Sequence, residues 1–147
     1  MTTFEQELNE HGNIIYTNKG VSMLPLLRQG RDVMCIEKRT DCRCKKYDAV
    51  LFKRDNGQYI LHRITKVLDG GYFIIGDNCY TGEYVREEQI LGILKSIRRD
   101  QKTIHVTDFS YQCYVHIWRP LRMAYLRARR CYYRAGSFVK RKVLRLK

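Results

Sequence analysis

Three side chains with complementary chemistry occur in order along the chain: the hydroxyl of Ser22, the imidazole of His62 and the carboxylate of Asp77. A serine hydroxyl is a poor nucleophile at neutral pH and needs a base within hydrogen-bond reach. An imidazole whose other nitrogen is held by a carboxylate meets that need. We therefore predict a serine endopeptidase in which Ser22 is the nucleophile and His62 the general base. Asp77 is predicted to orient His62 and to stabilise its protonated form.

Each of the three residues lies in a short motif that shapes its backbone. Ser22 lies in GVSMLP, His62 in LHRI and Asp77 in GDN. Pro25 restricts the residue before it and keeps the serine turn from extending as a long helix. Gly76 allows the aspartate turn to approach a neighbouring segment closely. The backbone N–H of Ser22 is expected to supply the oxyanion hole.

These motifs, in this order, resemble those of the signal peptidase I family and of its relatives, the self-cleaving SOS-type repressors. The resemblance covers roughly residues 13–106 and is greatest to small soluble bacterial members. It implies a signal-peptidase-like β domain and an acyl-enzyme on Ser22. The implied substrate is an extended leader- or signal-like peptide with small residues just before the cleaved bond. Many members carry a side-chain hydroxyl two residues before the nucleophile, where this chain has Gly20.

The residue at the base position distinguishes branches of this family. In the bacterial signal peptidases and the repressors the base is a lysine, whereas His62 is similar to the base of the endoplasmic-reticulum type. Lys66 lies further along the same predicted strand, about 13 Å from His62, too far to take its place. An imidazole also titrates near pH 6.5 unaided, whereas a lysine must be buried to act as a base at neutral pH. Asp32 and Asp48 are interpreted as structural acids, and Arg63 is expected to pair with an acid or line the site.

The spacing of apolar residues and turn signals predicts a mainly β domain. The capping pair Thr3 and Gln6 indicates a short helix over residues 3–10. Strands are predicted at residues 13–17, 33–37, 49–54, 59–67, 72–75, 92–98 and 103–106. Asn56 and Gly57 give a strong hairpin signal between the third and fourth strands. Many short strands of this kind favour an antiparallel sheet that is partly closed as a barrel or folded as a sandwich.

Charge divides the chain into two parts. The net charge is +13, but residues 1–110 hold 17 Lys and Arg against 15 Asp and Glu. Residues 111–147 hold 11 Lys and Arg and no acid at all. We therefore predict a signal-peptidase-like β domain over residues 1–108 and a basic amphipathic helical tail over residues 109–147.

The predicted tail helix has an apolar face and an arginine face. The apolar face comprises Tyr114, Ile117, Trp118, Leu121, Tyr125, Ala128, Tyr132 and Ala135, and the arginine face comprises Arg119, Arg127, Arg130 and Arg134. A helix of this kind suits the interface of an anionic membrane. The alternative is a helix docked on its own domain, which would need an acidic surface that residues 1–110 lack overall.

The sequence predicts neither a metal nor a cofactor. Cys42 and Cys44 are spaced too tightly for a zinc knuckle, no second ligand pair follows, and all six cysteines are expected to be reduced. No apolar run approaches the roughly 18 to 20 residues of a transmembrane helix, and the acidic N-terminus does not resemble a signal peptide. These features favour a cytoplasmic protein whose tail contacts the inner face of the membrane.

Two other functions use the same sequence features. A non-catalytic module on the same fold could bind a peptide at the membrane without cleaving it. Arginines interleaved with Tyr and Trp are also typical of nucleic-acid binding, but only about 20 residues precede Ser22, too few for the DNA-binding domain of the repressors. The favoured partners are a peptide or protein substrate and an anionic membrane surface, and nucleic acid ranks last.

Overall fold

The computed structural model describes residues 3–40 and 42–144, with side chains through residue 133. The elements are α1 (Phe4–His11), β1 (Asn13–Thr17), β2 (Asp32–Lys38), β3 (Ala49–Lys53), β4 (Tyr59–Leu68), β5 (Gly71–Ile75), β6 (Glu83–Arg86), a 3₁₀ turn (Glu87–Gln89), β7 (Ile90–Arg99), β8 (Lys102–His105), α2 (Phe109–Cys113), a π-helical turn (Tyr114–Trp118) and α3 (Arg119–Leu144).

The strands form one antiparallel sheet. Their order is β1-β2-β7-β3-β4-β5-β6, and β8 pairs with β7. The prediction of a mainly β, antiparallel domain followed by a C-terminal helix is confirmed. Within the described residues the strand path ends at β1 and at β6, so these pairings do not close a barrel.

Local sequence signals explain several boundaries. Thr3 and Gln6 form the predicted capping box, in which the Thr3 hydroxyl accepts from the Gln6 N–H and the Gln6 side chain accepts from the Thr3 N–H. Gly57 has a φ of 84°, a left-handed conformation that suits the turn between β3 and β4. Alternate residues of β3 enter two different apolar clusters: Leu51 lies in one and Phe52 in the other. This central strand is therefore covered on both faces.

The sequence pattern does not predict β6. The strand has four residues, and only the middle two, Tyr and Val, are typical strand formers. It forms by pairing with β5, where Ile74 lies opposite Glu83. Gly82 permits this close approach, because a Cβ there would lie 2.4 Å from the Ile75 side chain. The neighbouring strand specifies β6 more than its own residues do.

The tail packs against the β domain. Met123 and Leu126 are buried against Ile75 at the end of β5, and Tyr111 and Val115 join the larger apolar cluster. Most of the apolar face predicted for the tail is exposed instead, namely Ile117, Trp118, Leu121, Tyr125 and Tyr132. The side of the helix that faces the domain is therefore not the predicted apolar face.

The helical tail is interrupted near its start by a change of winding. Residues Tyr114–Trp118 form a π-helical turn in which the Arg119 N–H donates to the Tyr114 carbonyl. Pro120 follows, and it has no N–H to continue a regular ladder. A π turn contains an extra residue, which rotates everything after it by about 100° relative to a continuous α-helix. The predicted face is nevertheless exposed both within this turn, at Ile117 and Trp118, and after it, at Leu121. The residues that face the domain, such as Met123, lie off the predicted face.

Along the described residues, no helix combines the length and the apolar character needed to cross a bilayer. Residues 145–147 and the side chains of Arg134 and Ala135, which the predicted tail includes, lie outside the described part of the chain.

Candidate active site

Ser22 and His62 converge on Gly76. A Cβ atom built on Gly76 would lie 2.8 Å from the carbonyl oxygen of Ser22 and 2.9 Å from Nε2 of His62. It would also lie 2.8 Å from Sγ of Cys79. Only a glycine leaves room for these atoms. The fold thus brings the serine turn, the histidine strand and the Gly-Asp-Asn turn to one place.

The turn that carries Ser22 is anchored from two directions. The backbone N–H of Asn78 donates to the Ser22 carbonyl oxygen at 2.8 Å, and Nδ2 of Asn78 donates to the Val21 carbonyl oxygen at 3.1 Å. Met23 and Leu27 follow and are fully buried in the larger apolar cluster. Ser22 itself is half-buried, so the residue is held in place yet reachable from solvent.

Gly20 explains the missing hydroxyl two residues before Ser22. Its φ is 100°, a left-handed conformation that a residue with a side chain rarely adopts. Its N–H donates to Oε1 of Gln29 at 3.0 Å, which fixes the entry to the turn. A serine or threonine at position 20 would strain this backbone.

His62 occupies a nearly buried position on β4. It pairs with Val50 of β3, it is only 8% exposed, and its ring centroid lies 6.2 Å from that of Phe52. Burial lowers the pKa of His62 below its ordinary value; the charge of Glu83 partly offsets this, and that of Arg54 adds to it. The imidazole is therefore neutral at pH 7, the state that a general base requires.

The carboxylate that approaches the second imidazole nitrogen belongs to Glu83. Its Oε1 lies 3.9 Å from Nδ1 of His62, which is longer than a hydrogen bond and leaves a Coulombic interaction. Arg54 fixes this carboxylate through Nε to Oε2 at 2.8 Å and Nη2 to Oε1 at 2.5 Å. Sequence reasoning misses Glu83 because it misses β6. The sequence does contain one signal for it: Glu83 is an acid six residues after Asp77, at a point where a strand antiparallel to β5 could begin.

Asp77 does not make the predicted contact with His62. Its fully buried carboxylate accepts hydrogen bonds from Arg63 (Nε at 2.9 Å, Nη2 at 2.7 Å), from Arg119 (Nε at 2.6 Å) and from the Tyr114 hydroxyl at 3.1 Å. Among the described residues it has no hydrogen bond to His62, because two guanidinium groups and a phenol surround it. Its negative charge still favours the protonated form of His62 at longer range.

The environment of Asp77 keeps it ionised. Burial alone would raise the pKa of Asp77, but the charges and hydrogen bonds of Arg63 and Arg119 hold it below its ordinary value. The same carboxylate raises the pKa of Arg63 despite complete burial. Asp77 therefore joins β4 to the tail as the shared counter-charge of two buried arginines.

The other charged residues discussed from the sequence lie away from the Ser22 and His62 side chains or pair with other groups. Arg63 pairs with an acid, in agreement with the sequence expectation. Asp32 is fully buried and binds Arg99 through Nε at 2.9 Å, and Asp48 accepts from a backbone N–H within its own turn. Lys66 is exposed on β4.

The tail also borders the candidate site. Nη2 of Arg122 donates to Oδ1 of Asn78 at 3.0 Å, directly beside the serine turn. Further along, α3 and the segment 78–81 border an open cleft of about 820 Å³. Its walls include the guanidinium-bearing Arg129 and Arg130 and the ring of Tyr133.

Within the described residues, no three His, Cys, Asp or Glu side chains converge as metal ligands. Comparison with protein-family models, with curated proteins and with solved structures finds no match to this chain. The resemblance to the signal peptidases therefore rests on the three motifs, and the functional argument rests on the geometry around Gly76.

Proposed function

We propose that the protein is a serine endopeptidase of the signal-peptidase type, which cleaves a leader- or signal-like peptide. The observation that carries this proposal is the meeting of the Ser22 turn with Nε2 of His62 at Gly76. The opposite nitrogen of the same ring, Nδ1, faces the carboxylate of Glu83. A neutral imidazole between a serine and a carboxylate is the arrangement that general-base catalysis of acyl transfer requires.

The proposed reaction is an acyl transfer in two steps. In the proposed reaction the Ser22 hydroxyl gives its proton to Nε2 of His62 as its oxygen attacks the scissile carbonyl carbon. The Ser22 N–H donates to the resulting oxyanion. Protonated His62 then gives the proton to the leaving amine, the C–N bond breaks and an acyl-enzyme remains. His62 next deprotonates a water molecule, which hydrolyses the ester and restores the serine.

In this mechanism Glu83 is the positioning residue for His62. Catalytic hydrogen bonds are often long without substrate and shorten in the complex, and a shift of about 1 Å would bring Oε1 into hydrogen-bond range of Nδ1. The charge of Glu83 also offsets part of the cost of protonating a buried imidazole. Asp77 instead fixes the turn that supports Ser22.

The position of β6 supports an extended peptide as the substrate. β6 begins at Glu83, beside the imidazole, and forms one end of the strand path. An edge strand offers unpaired backbone groups to which an extended peptide can add. The resemblance to signal peptidases implies small residues just before the cleaved bond.

Acylation and cleavage test the proposal together. The full chain is incubated with a β-lactam that acylates serine, and the modified residue is located by mass spectrometry. In parallel, a peptide library with small residues before the scissile bond is screened for cleavage. We expect the acyl group on Ser22, and we expect Ser22→Ala and His62→Ala each to lower cleavage by at least about a thousandfold.

Ser110→Ala provides the matched control, since Ser110 is exposed and belongs to the tail. It should be acylated at Ser22 and should cleave as the wild type does. Full cleavage by Ser22→Ala would refute the assignment of the nucleophile. Peptide binding without acylation or cleavage in the folded wild-type chain would favour the non-catalytic binding module instead.

A further inference from the structure

The solvent-facing side of α3 is apolar and carries no charge. Its described residues are Leu121, Ala124, Tyr125, Ala128 and Tyr132, all of them exposed, and we call this set the outer face. At about 100° per residue the five fall within a sector of about 100°. Leu121 is 67% exposed, although it lies on the helix that supplies Met123 and Leu126 to the core.

A small rotation of α3 could not bury the outer face against the β domain. The opposite side of α3 is held by the bond from Arg119 to Asp77 and by the packing of Met123 and Leu126. Turning the outer face inward would break that bond and bury Leu121 only by exposing the present contacts. The apolar surface instead continues toward the N-terminal end of the tail through the exposed Ile117 and Trp118.

Positive charge surrounds this apolar surface. Arg127 and Arg129 lie on the two flanks of the outer face, and both are exposed. Residues 111–147 contain 11 Lys and Arg and no acid. The occupant must therefore be apolar at its centre and negative at its edge. A bilayer with anionic lipids has both properties, since its acyl boundary receives apolar side chains while arginines reach the phosphates.

Charge also argues against the other occupants. A second copy of this face would bring arginine against arginine, with no acid in the tail to relieve the repulsion. Nucleic acid would engage the flanking arginines but offers little to Leu121 at the centre of the face. Tyr and Trp, in contrast, are the residues favoured at a membrane interface.

We propose that the outer face of α3 binds the interfacial region of an anionic lipid bilayer. Leu121, Tyr125 and Tyr132 enter the boundary between headgroups and acyl chains, and Arg127 and Arg129 contact the phosphates. Arg122 ties the inner side of the same helix to Asn78. The Ser22 turn therefore lies about one helix diameter, roughly 10 Å, from the lipid surface.

Vesicle binding by the full chain tests this proposal and does not depend on catalysis. The chain is sedimented with vesicles of phosphatidylcholine alone and with vesicles in which roughly a quarter of the lipid is phosphatidylglycerol. We expect binding to the anionic vesicles that weakens with added salt. Trp118 is the only tryptophan, and its emission should shift to the blue and be quenched by brominated lipid.

Two substitutions with equal exposure make the test specific. Leu121→Gln should weaken vesicle binding by about tenfold, because it removes an apolar side chain from the bilayer boundary. Ile15→Gln is the control, since Ile15 is also 67% exposed but lies on β1, and it should bind as the wild type does. Arg127→Gln should weaken binding to anionic vesicles by about fivefold.

Several results would overturn the proposal. Equal binding to neutral and anionic vesicles would remove the role of the arginines, and equal losses in Leu121→Gln and Ile15→Gln would remove the role of the outer face. Concentration-dependent dimerisation that Leu121→Gln abolishes, without vesicle binding, would assign the face to a second copy. Salt-sensitive DNA binding without vesicle binding would assign the tail to nucleic acid.

Discussion

Replacing Asp77 with Asn tests whether this carboxylate stabilises the fold or takes part in the proposed reaction. The substitution keeps the size of the side chain but removes the negative charge that Arg63 and Arg119 share. Both guanidinium groups remain buried after the change, since Arg63 is fully buried and Arg119 nearly so. We therefore expect a folded chain of much lower stability.

The size of the effect follows from burial. Removing one partner of a buried ion pair costs about 3–5 kcal/mol, because the remaining charge is desolvated and unpaired. A domain of ordinary stability unfolds with about 5–15 kcal/mol, so the loss would be a large fraction of the total. For a chain of this size the melting temperature should fall by roughly 10 °C.

Urea unfolding followed by the fluorescence of Trp118 measures this loss. Asp55→Asn is the matched control: Asp55 pairs with Arg86 at 2.8 Å, but the pair is exposed, and its loss should be too small to resolve. A structural role for Asp77 is refuted if Asp77→Asn, Asp55→Asn and the wild type all unfold at the same urea concentration while Asp77→Asn loses cleavage. Asp77 would then be an acid of the reaction.

The pH dependence gives a second check on Asp77. Its pKa lies below its ordinary value in the folded chain, so the unfolded chain binds the proton more readily. The stability that this carboxylate contributes is complete above about pH 4 and is lost as the pH falls through the folded pKa. The difference in the free energy of unfolding between the wild type and Asp77→Asn should therefore be constant between about pH 5 and pH 8. It should become smaller in stronger acid.

Three further substitutions or modifications probe the candidate site. Glu83→Gln removes a charge that raises the pKa of His62, so the acid limb of the kcat/KM profile should move to lower pH and kcat should fall by at least about tenfold. Gly76→Ala places a methyl group 2.8 Å from the Ser22 carbonyl oxygen, so acylation of Ser22 should be lost. Alkylation of Cys79 by iodoacetamide should block cleavage, because its Sγ borders the same point.

Matched variants control the experiments on Glu83 and Cys79. Glu88→Gln changes an exposed acid paired with Arg86 and should leave the pH profile in place; an unmoved acid limb in Glu83→Gln would exclude Glu83 as a positioning residue. Normal acylation of Gly76→Ala would show that the turn adapts and that the close approach is not required. Burial raises the pKa of Cys79, so its labelling is run at alkaline pH, and Cys79→Ser should resist the inhibition.

Elements with strong local sequence signals can be predicted from the sequence. The sequence predicts β1 with the observed bounds and α1 with the observed capping box, because the side-chain pattern and turn residues there act over a few positions. The sequence pattern does not predict β6, because this strand forms through its pairing with β5 and not through its own residues. Because β6 is not predicted, the sequence also fails to predict that Glu83, its first residue, lies beside His62.

The candidate site shows the same division. The motifs indicated that Ser22, His62 and Gly76 matter, and the fold gathers them at one point. The role of Asp77 could not be predicted, because its partner Arg119 belongs to the tail, 42 residues further along the chain. A contact of this kind depends on which side of the helix packs against the domain, and the tail packs through Met123 and Leu126, outside the predicted apolar face.

The bond between Arg119 and Asp77 makes the boundary near residue 108 a poor place to divide the molecule. A chain ending there would keep the buried Arg63 and Asp77 but lose the second guanidinium and the Tyr114 phenol that complete the cluster. Without the tail, the β domain would thus leave Arg63 and Asp77 with fewer partners next to the turn that carries Ser22. The first turns of the tail are therefore part of the folded β domain, even though their charge and spacing set them apart in the sequence.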